Sequence, residues 1–187
     1  NAKLVFIIAM VIIFALQLIG ANFITQTERQ LVSNFQESQK LQMNFLENSF
    51  APYLEMLENP KEVPDDIDPE EEINALISDF SGTGITSLIV VDAGFVVVGN
   101  SDTTQQVEVG QLLNDEDVRT TILQGSASSR QIINPQLNAR RWRMVEPVYS
   151  TGESQVVIGA IVMESNIESI YEQITDMLNK AFDKYPS

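Results

Sequence analysis

Arg140, Arg141, Trp142 and Arg143 open the segment RRWRMVEPVY, which closes at Tyr149. It is the one basic and aromatic cluster in a chain with 26 acidic and 11 basic residues. A guanidinium fork binds carboxylates and phosphates in two-point geometry. One reading is therefore an anionic ligand, such as a peptide carboxylate. The other is an exposed strand whose arginines, with Arg130 on the neighbouring strand, pair with the protein's own acids. A second polar group, Asn100, Ser101 and Asp102, ends the stretch IVVDAGFVVVGNSD. Most of that stretch reads as core, because Val90, Val91 and Val96 to Val98 offer no polar hooks. A binding pocket needs a few convergent polar groups in an apolar cleft. Its rim here would be Asn100–Asp102 set against Arg140–Tyr149.

Other chemistry is narrower. The chain has no cysteine and no histidine. It can form no disulfide, no zinc site of the usual kind, no thiol nucleophile and no histidine base. No G-x-S-x-G, P-loop or Rossmann glycine pattern occurs. No catalytic residue, metal or cofactor is expected. The acid run DDIDPEEE lacks the ligand spacing of a calcium loop. It fits a helix start better: Asp68 caps, Pro69 takes the first helical position, and Glu70 to Glu72 favour the positive end of the dipole. The formal net charge of −15 argues against a nucleic-acid partner.

These groups need elements to hold them. KLVFIIAMVIIFALQLIGANFI, Lys3 to Ile24, has the length and apolarity of a membrane span. It is too long for the core of a secretory signal, and no A-x-A site follows. Lys3 before the span favours a cytoplasmic N-terminus. The chain would sit in the cell membrane with the residues after 24 extracellular. It opens on Asn1-Ala2 rather than Met, so its start reads as truncated.

Residues 25–58 read as one long juxtamembrane helix. Met43, Leu46, Phe50, Tyr53 and Leu57 draw a helical stripe along its second half. That stripe packs on the domain's own sheet or forms a dimer seam. Pro52 should kink or restart the helix. Residues 59–165 form the folded core. It holds a short helix from Pro69 to about Phe80 and a hairpin of Ser87–Asp92 with Phe95–Asn100. A helix within Asp115–Gly125 follows, then strands at Ser129–Asn134, Ala139–Tyr149 and Gln155–Glu164. Loops are expected at Ser81–Gly84 and at Pro135. Residues 166–187 return toward the membrane as a C-terminal helix. Ser165 and Glu168 offer a capping box, and Ile167, Ile170, Ile174, Met177 and Phe182 lie on its apolar stripe. Five strands joined mainly by tight turns, with helices before, between and after, define an α+β domain on an antiparallel sheet.

This order resembles the PAS-like extracytoplasmic domains called PDC or single Cache domains. IVVDAGFVVVGNSD, the helix ending ILQG, and EPVYSTGESQVVIGAIVMES leading into a helix carry the resemblance. The opening stretch, to VSNF, and GAIVMESNIESIYEQI resemble the two ends of the sensor region in the WalK (YycG/VicK) family of sensor histidine kinases. The resemblance implies an input region, not an enzyme, since the kinase machinery has no counterpart in this chain. It implies a homodimer and contact of the span with regulatory single-pass membrane proteins; a cell-wall-derived ligand is the anion that the arginine cluster would take on the binding reading. Binding would shift the C-terminal helix against the N-terminal one to control a kinase and cell-wall metabolism. The alternative is a membrane-anchored protein-interaction domain with no small-molecule ligand. Arg140 and Trp142 also match the Arg-x-Trp element of amino-acid-binding Cache domains, with Tyr149 following. Yet Trp142 and Tyr149 are an odd number of residues apart and should point to opposite sheet faces unless Pro147 marks a bulge.

Overall fold

The computed structural model describes residues 1–80, 85–101, 107–134 and 138–183. The helices are α1 (Ala2–Glu58), α2 (Pro69–Phe80), α3 (Glu116–Gln124) and α4 (Glu168–Asp183). The strands are β1 (Ile85–Asp92), β2 (Val97–Asn100), β3 (Ser128–Asn134), β4 (Ala139–Tyr149) and β5 (Val157–Asn166). The loop at Ser81–Gly84, the turn at Pro135, and the side chains of Met177 and Phe182 lie outside the described residues. The chain divides into two compact units. One is Lys40–Glu168; the other joins Asn1–Gln39 to the segment from Ser169 on.

In the first unit the strands form one antiparallel sheet in the order β2-β1-β5-β4-β3. β5 lies at its centre and is buried along nearly its whole length. Strands covered on both faces read as continuous apolar runs, which accounts for LIVV in β1 and AIVM in β5. One face carries Leu88, Val90, Met144, Val148, Ile161 and Met163. They pack with Met43, Leu46, Phe50 and Leu54 of α1 and with Ile73 and Ile77 of α2. The opposite face carries Ile89, Val91, Val97, Val145, Ala160 and Val162, packed with Val118 and Ile122 of α3. The stripe on α1 is thus spent on the domain's own core, since Met43, Leu46 and Phe50 are fully buried.

Several local expectations hold for the reasons given. The Asp68 carboxylate accepts the Glu70 N–H at 3.0 Å at the start of α2. Asp115 caps α3 by accepting the Val118 N–H at 3.2 Å. Gly125 ends α3 with φ +67° and donates its N–H to the Thr121 carbonyl at 2.8 Å, a conformation that favours glycine.

Three expectations are corrected. α1 does not restart at Pro52 but runs through it. Phe50 and Leu54, buried on either side, anchor the helix across the missing N–H. The last helix begins at Glu168, not Ser165, because β5 continues through Ser165 to pair with Trp142 of β4. The capping box therefore does not form: the Asn166 side chain accepts the Glu168 N–H at 2.8 Å, while the Glu168 carboxylate accepts the Arg140 N–H at 2.9 Å. The second hairpin strand begins at Val97, not Phe95, because Phe95 sits in the left-handed region with φ +66°.

In the second unit, α1 carries one stretch long and apolar enough to cross a membrane, none of it buried. Just past it, the Thr25 and Thr27 hydroxyls donate to the carbonyls of Ala21 and Phe23, both at 2.9 Å. Such bonds satisfy polar side chains within the helix itself. On α4, Ile170 and Ile174 are buried.

The tightest backbone approach falls at Gly159 in β5. A Cβ there would meet the Val91 carbonyl oxygen at 2.4 Å and Leu54 Cδ1 at 3.1 Å. Gly159→Ala should destabilise the domain by about 1–3 kcal/mol, since backbone must give way. Gly152→Ala, with nothing within 4 Å, should change stability by about 0.5 kcal/mol or less. Urea denaturation of the two variants checks the contrast.

Candidate functional site

The β3–β4–β5 register sets Arg130 opposite Arg143, and Arg143 opposite Glu164. Residues two apart on a strand share a face, so Arg141 joins Arg143 on the side covered by α3. From that helix, its cap Asp115 and Asp117 reach down. Arg143 Nη1 donates to Asp117 Oδ2 at 2.8 Å, and Nη2 pairs with Asp115 Oδ2. Its Nε lies 3.7 Å from Glu164 Oε1. Arg141 Nη1 donates to Glu164 Oε2 at 3.0 Å. Arg130 Nη2 closes the outer edge on Asp117 Oδ2 at 2.8 Å.

Three guanidiniums thus meet three carboxylates, and the set is graded by depth. The Arg141 and Glu164 side chains are 5% and 7% exposed, whereas Arg130 is 61% exposed. Taking such charges out of water is costly unless each is paired and hydrogen-bonded. The cluster meets that condition with its own acids. Two hydroxyls add to the polarity of this face. Ser87, which pairs with Glu164 across β1 and β5, and Thr121 of α3 have buried oxygens with no partner among the described residues.

The sequence-derived candidates fall elsewhere, and the sheet does not bring them together. The Arg140 side chain is exposed, at the start of β4. Trp142 packs on the α1 side of the sheet, its indole N–H buried with no acceptor among the described residues. The Tyr149 hydroxyl donates to the Gly125 carbonyl at 3.1 Å, at the end of α3 on the other side. A register shift does occur between Val148 and Tyr149, yet the two aromatics stay on opposite faces. Asn100 donates from its side-chain amide to the Val107 carbonyl at 2.7 Å. It pairs with Ile89, Ile89 with Val162, and Val162 with Val145. Three strand spacings, about 14 Å, therefore separate it from β4. Asp102 lies outside the described residues. Sequence reasoning placed Arg141 and Arg143 in the basic cluster and offered pairing with the protein's own acids as one reading, but it did not single them out, nor name Asp115, Asp117 and Glu164 as their partners. The usable signals were the two-residue spacing of Arg141 and Arg143, and Glu164 as the lone acid in the apolar run of β5.

A second ionisable pair lies on the α1 side. Glu146 sits on β4 between the core residues Met144 and Val148, and its carboxyl shares a hydrogen bond with Glu47 of α1. Burial first, then the bond to Glu146 and its charge, push the Glu47 carboxyl up to about 9, against a smaller opposing pull from Lys40.

An antiparallel sheet in this strand order, with a long helix before it, a short helix on one face and a helix after it, is a PAS-like fold of the PDC or Cache kind. Among solved structures it is similar to the ligand-binding domain of the Pseudomonas aeruginosa PAO1 amino-acid chemoreceptor PctC, with a TM-score of 0.52 and 12% identity over 80% of this chain and 62% of that one. That likeness speaks to fold alone. The chain belongs to the WalK sensor protein kinase Cache domain family, whose model matches residues 72–165. It is 24% identical over 173 residues to the sensor histidine kinase WalK of Bacillus subtilis (strain 168), covering 92% of this chain and 27% of that protein. It is 23% identical over 185 residues to the sensor protein kinase WalK of Staphylococcus haemolyticus (strain JCSC1435), covering 97% and 28%. The chain therefore spans less than a third of the length of these relatives.

Two outcomes follow. Glu164→Ala strips Arg141 of its carboxylate in the interior and should cost about 3–5 kcal/mol. Arg130→Ala, at the exposed edge, should cost about 1 kcal/mol or less; thermal denaturation separates the two. The native Glu47 keeps its proton up to about pH 9, where an unfolded chain has already released it. Its contribution is whole below the ordinary carboxyl range and is lost as pH rises through about 9. Stability should thus fall across that window, and Glu47→Gln should flatten the fall in denaturation midpoints measured from acid to alkaline pH.

Proposed function

We propose that this chain is the input end of a WalK-like sensor histidine kinase. The apolar stretch of α1 crosses the cell membrane, and the residues after about position 24 lie outside the cell. Binding at the α3 side of the sheet changes how α3 holds Arg143. Glu164 feels that change, and β5 passes it to α4, which begins two residues after the strand ends. A following membrane segment would carry the motion to a kinase domain that governs cell-wall metabolism. The kinase would act as a homodimer, with regulatory single-pass membrane proteins touching the span. A cell-wall-derived ligand carrying a carboxylate fits an arginine cluster held by carboxylates, because it offers the same chemistry as Asp115 and Asp117 in competition with them.

The observation that carries this reading is the ion cluster itself. It joins α3 to β4 and β5 at the point where β5 leads into α4. A relay needs two states of such an element with different affinities for the signal. The second reading, a membrane-anchored protein-interaction domain, draws on Leu41 and Phe45, which stand 65% and 60% exposed one turn apart on α1.

Asp117→Asn tests the relay, because it loosens α3 from the exposed Arg130 and the buried Arg143 while leaving Arg141 and Glu164 paired. In the full-length kinase, basal autophosphorylation should change by about fivefold or more, the scale of a coupling worth 1–3 kcal/mol. Unchanged output from a normally expressed variant would refute the relay.

A further inference from the structure

We infer that the cleft between the β1–β2 turn and the segment entering α3 binds a small carboxylate bearing an apolar group, and that Arg119 holds the carboxylate. The inference rests on the sensor reading above and adds to it a place and a ligand class. The cleft measures about 240 Å³, with Phe95, Leu112 and Leu113 as its apolar wall and Arg119 on its rim. That size suits an amino acid or the end of a peptide rather than a larger ligand.

Phe95 marks the place. A bulky residue in the left-handed region costs about 1–3 kcal/mol, and such strain gathers at ligand clamps and switches. Here the turn enforces it. The Asp92 carboxylate accepts the N–H groups of Gly94 and Val96 at 2.9 and 3.0 Å. The Asp92 carbonyl accepts the Phe95 N–H at 3.1 Å, and the Phe95 carbonyl accepts the Leu113 N–H at 2.8 Å. Glycine stands next door at position 94, yet the aromatic residue takes the unfavourable conformation, and its ring lines the cleft.

Arg119 supplies the second, independent observation. Its guanidinium lies 5.8 Å from the centre of the Phe95 ring, a cation–π contact that orients the planar group without occupying its N–H edge. The other arginines of the α3 side, Arg130, Arg141 and Arg143, all hold carboxylates. Arg119 has none among the described residues, in a chain of net charge −15. Leu112 beside it is 72% exposed, an apolar wall open to water. Asp115 and Glu116 also line the cleft. They tolerate an amine on the ligand and repel a second carboxylate. Asp115 is at the same time a partner of Arg143, so occupancy of the cleft bears directly on the ion cluster.

The test uses the full chain in detergent micelles, titrated with N-acetyl-leucine and with N-acetyl-leucinamide as the carboxylate-free control, followed by the methyl resonances of Leu112 and Leu113. N-acetyl-leucine should shift both saturably and N-acetyl-leucinamide should not. Arg119→Gln, an exposed substitution, should weaken binding about tenfold or more, the scale of a lost charge-assisted hydrogen bond. Arg140→Gln should leave it unchanged. The site is overturned by absence of saturable shifts up to the solubility limit, by equal affinity in Arg119→Gln, or by loss of binding in Arg140→Gln instead. Saturable binding that leaves the α4 resonances unmoved upholds the site and overturns the relay.

Discussion

A charge moved out of water must be compensated where it lands, and this domain puts two arginines and a glutamate into its interior on the α3 side of the sheet. That requirement shapes much around it. It fixes the register of β4 against β5, because Arg143 must face Glu164. It also dictates what stands at the start of α3. Asp115 is a helix cap and an arginine partner at once, and Asp117 serves two arginines. An apolar interface could tolerate some sliding of the helix over the sheet. An interface of paired charges has few acceptable positions, and each departure from them exposes an unmatched ion. Apolar packing on the α1 side supplies bulk stability, and the ionic side supplies a defined geometry.

The strands and helices were largely legible in the sequence because their signals are local. Proline and acids at the start of α2, a cap and a glycine around α3, and unbroken apolar runs in β1 and β5 each announce themselves within a few residues. The errors came where distant partners decide. Ser165 and Glu168 have the spacing of a cap, yet Trp142 claims Ser165 for the sheet and Arg140 claims the Glu168 carboxylate. Phe95 looked like strand because its side chain is aromatic, but hydrogen bonds donated to Asp92 and received from Leu113 impose a turn.

The site was less legible. The sequence pointed to β4, the strand that carries Arg141 and Arg143, and to arginine–carboxylate chemistry. It chose Arg140 and Trp142 by a resemblance in spacing, where alternation along the strand places Arg141 and Arg143 over α3. Which face of a strand receives the helix with the acids is settled by tertiary packing, and the strand's own residues do not encode it. The grouping of Asn100 with β4 failed for a similar reason. The sheet order inserts β1 and β5 between them, and strand order cannot be read from a hairpin alone.

Trp142 is the chain's single tryptophan. It lies on β4 between the two buried arginines, facing the opposite side of the sheet from them, with its indole N–H sealed from water. A rotation of β4 that disturbs the ion cluster must also turn the indole in its apolar surroundings. The protein thus carries a built-in optical gauge of its own strand. Tryptophan emission and quenching in the unmodified chain can follow strain in the sheet with no label attached.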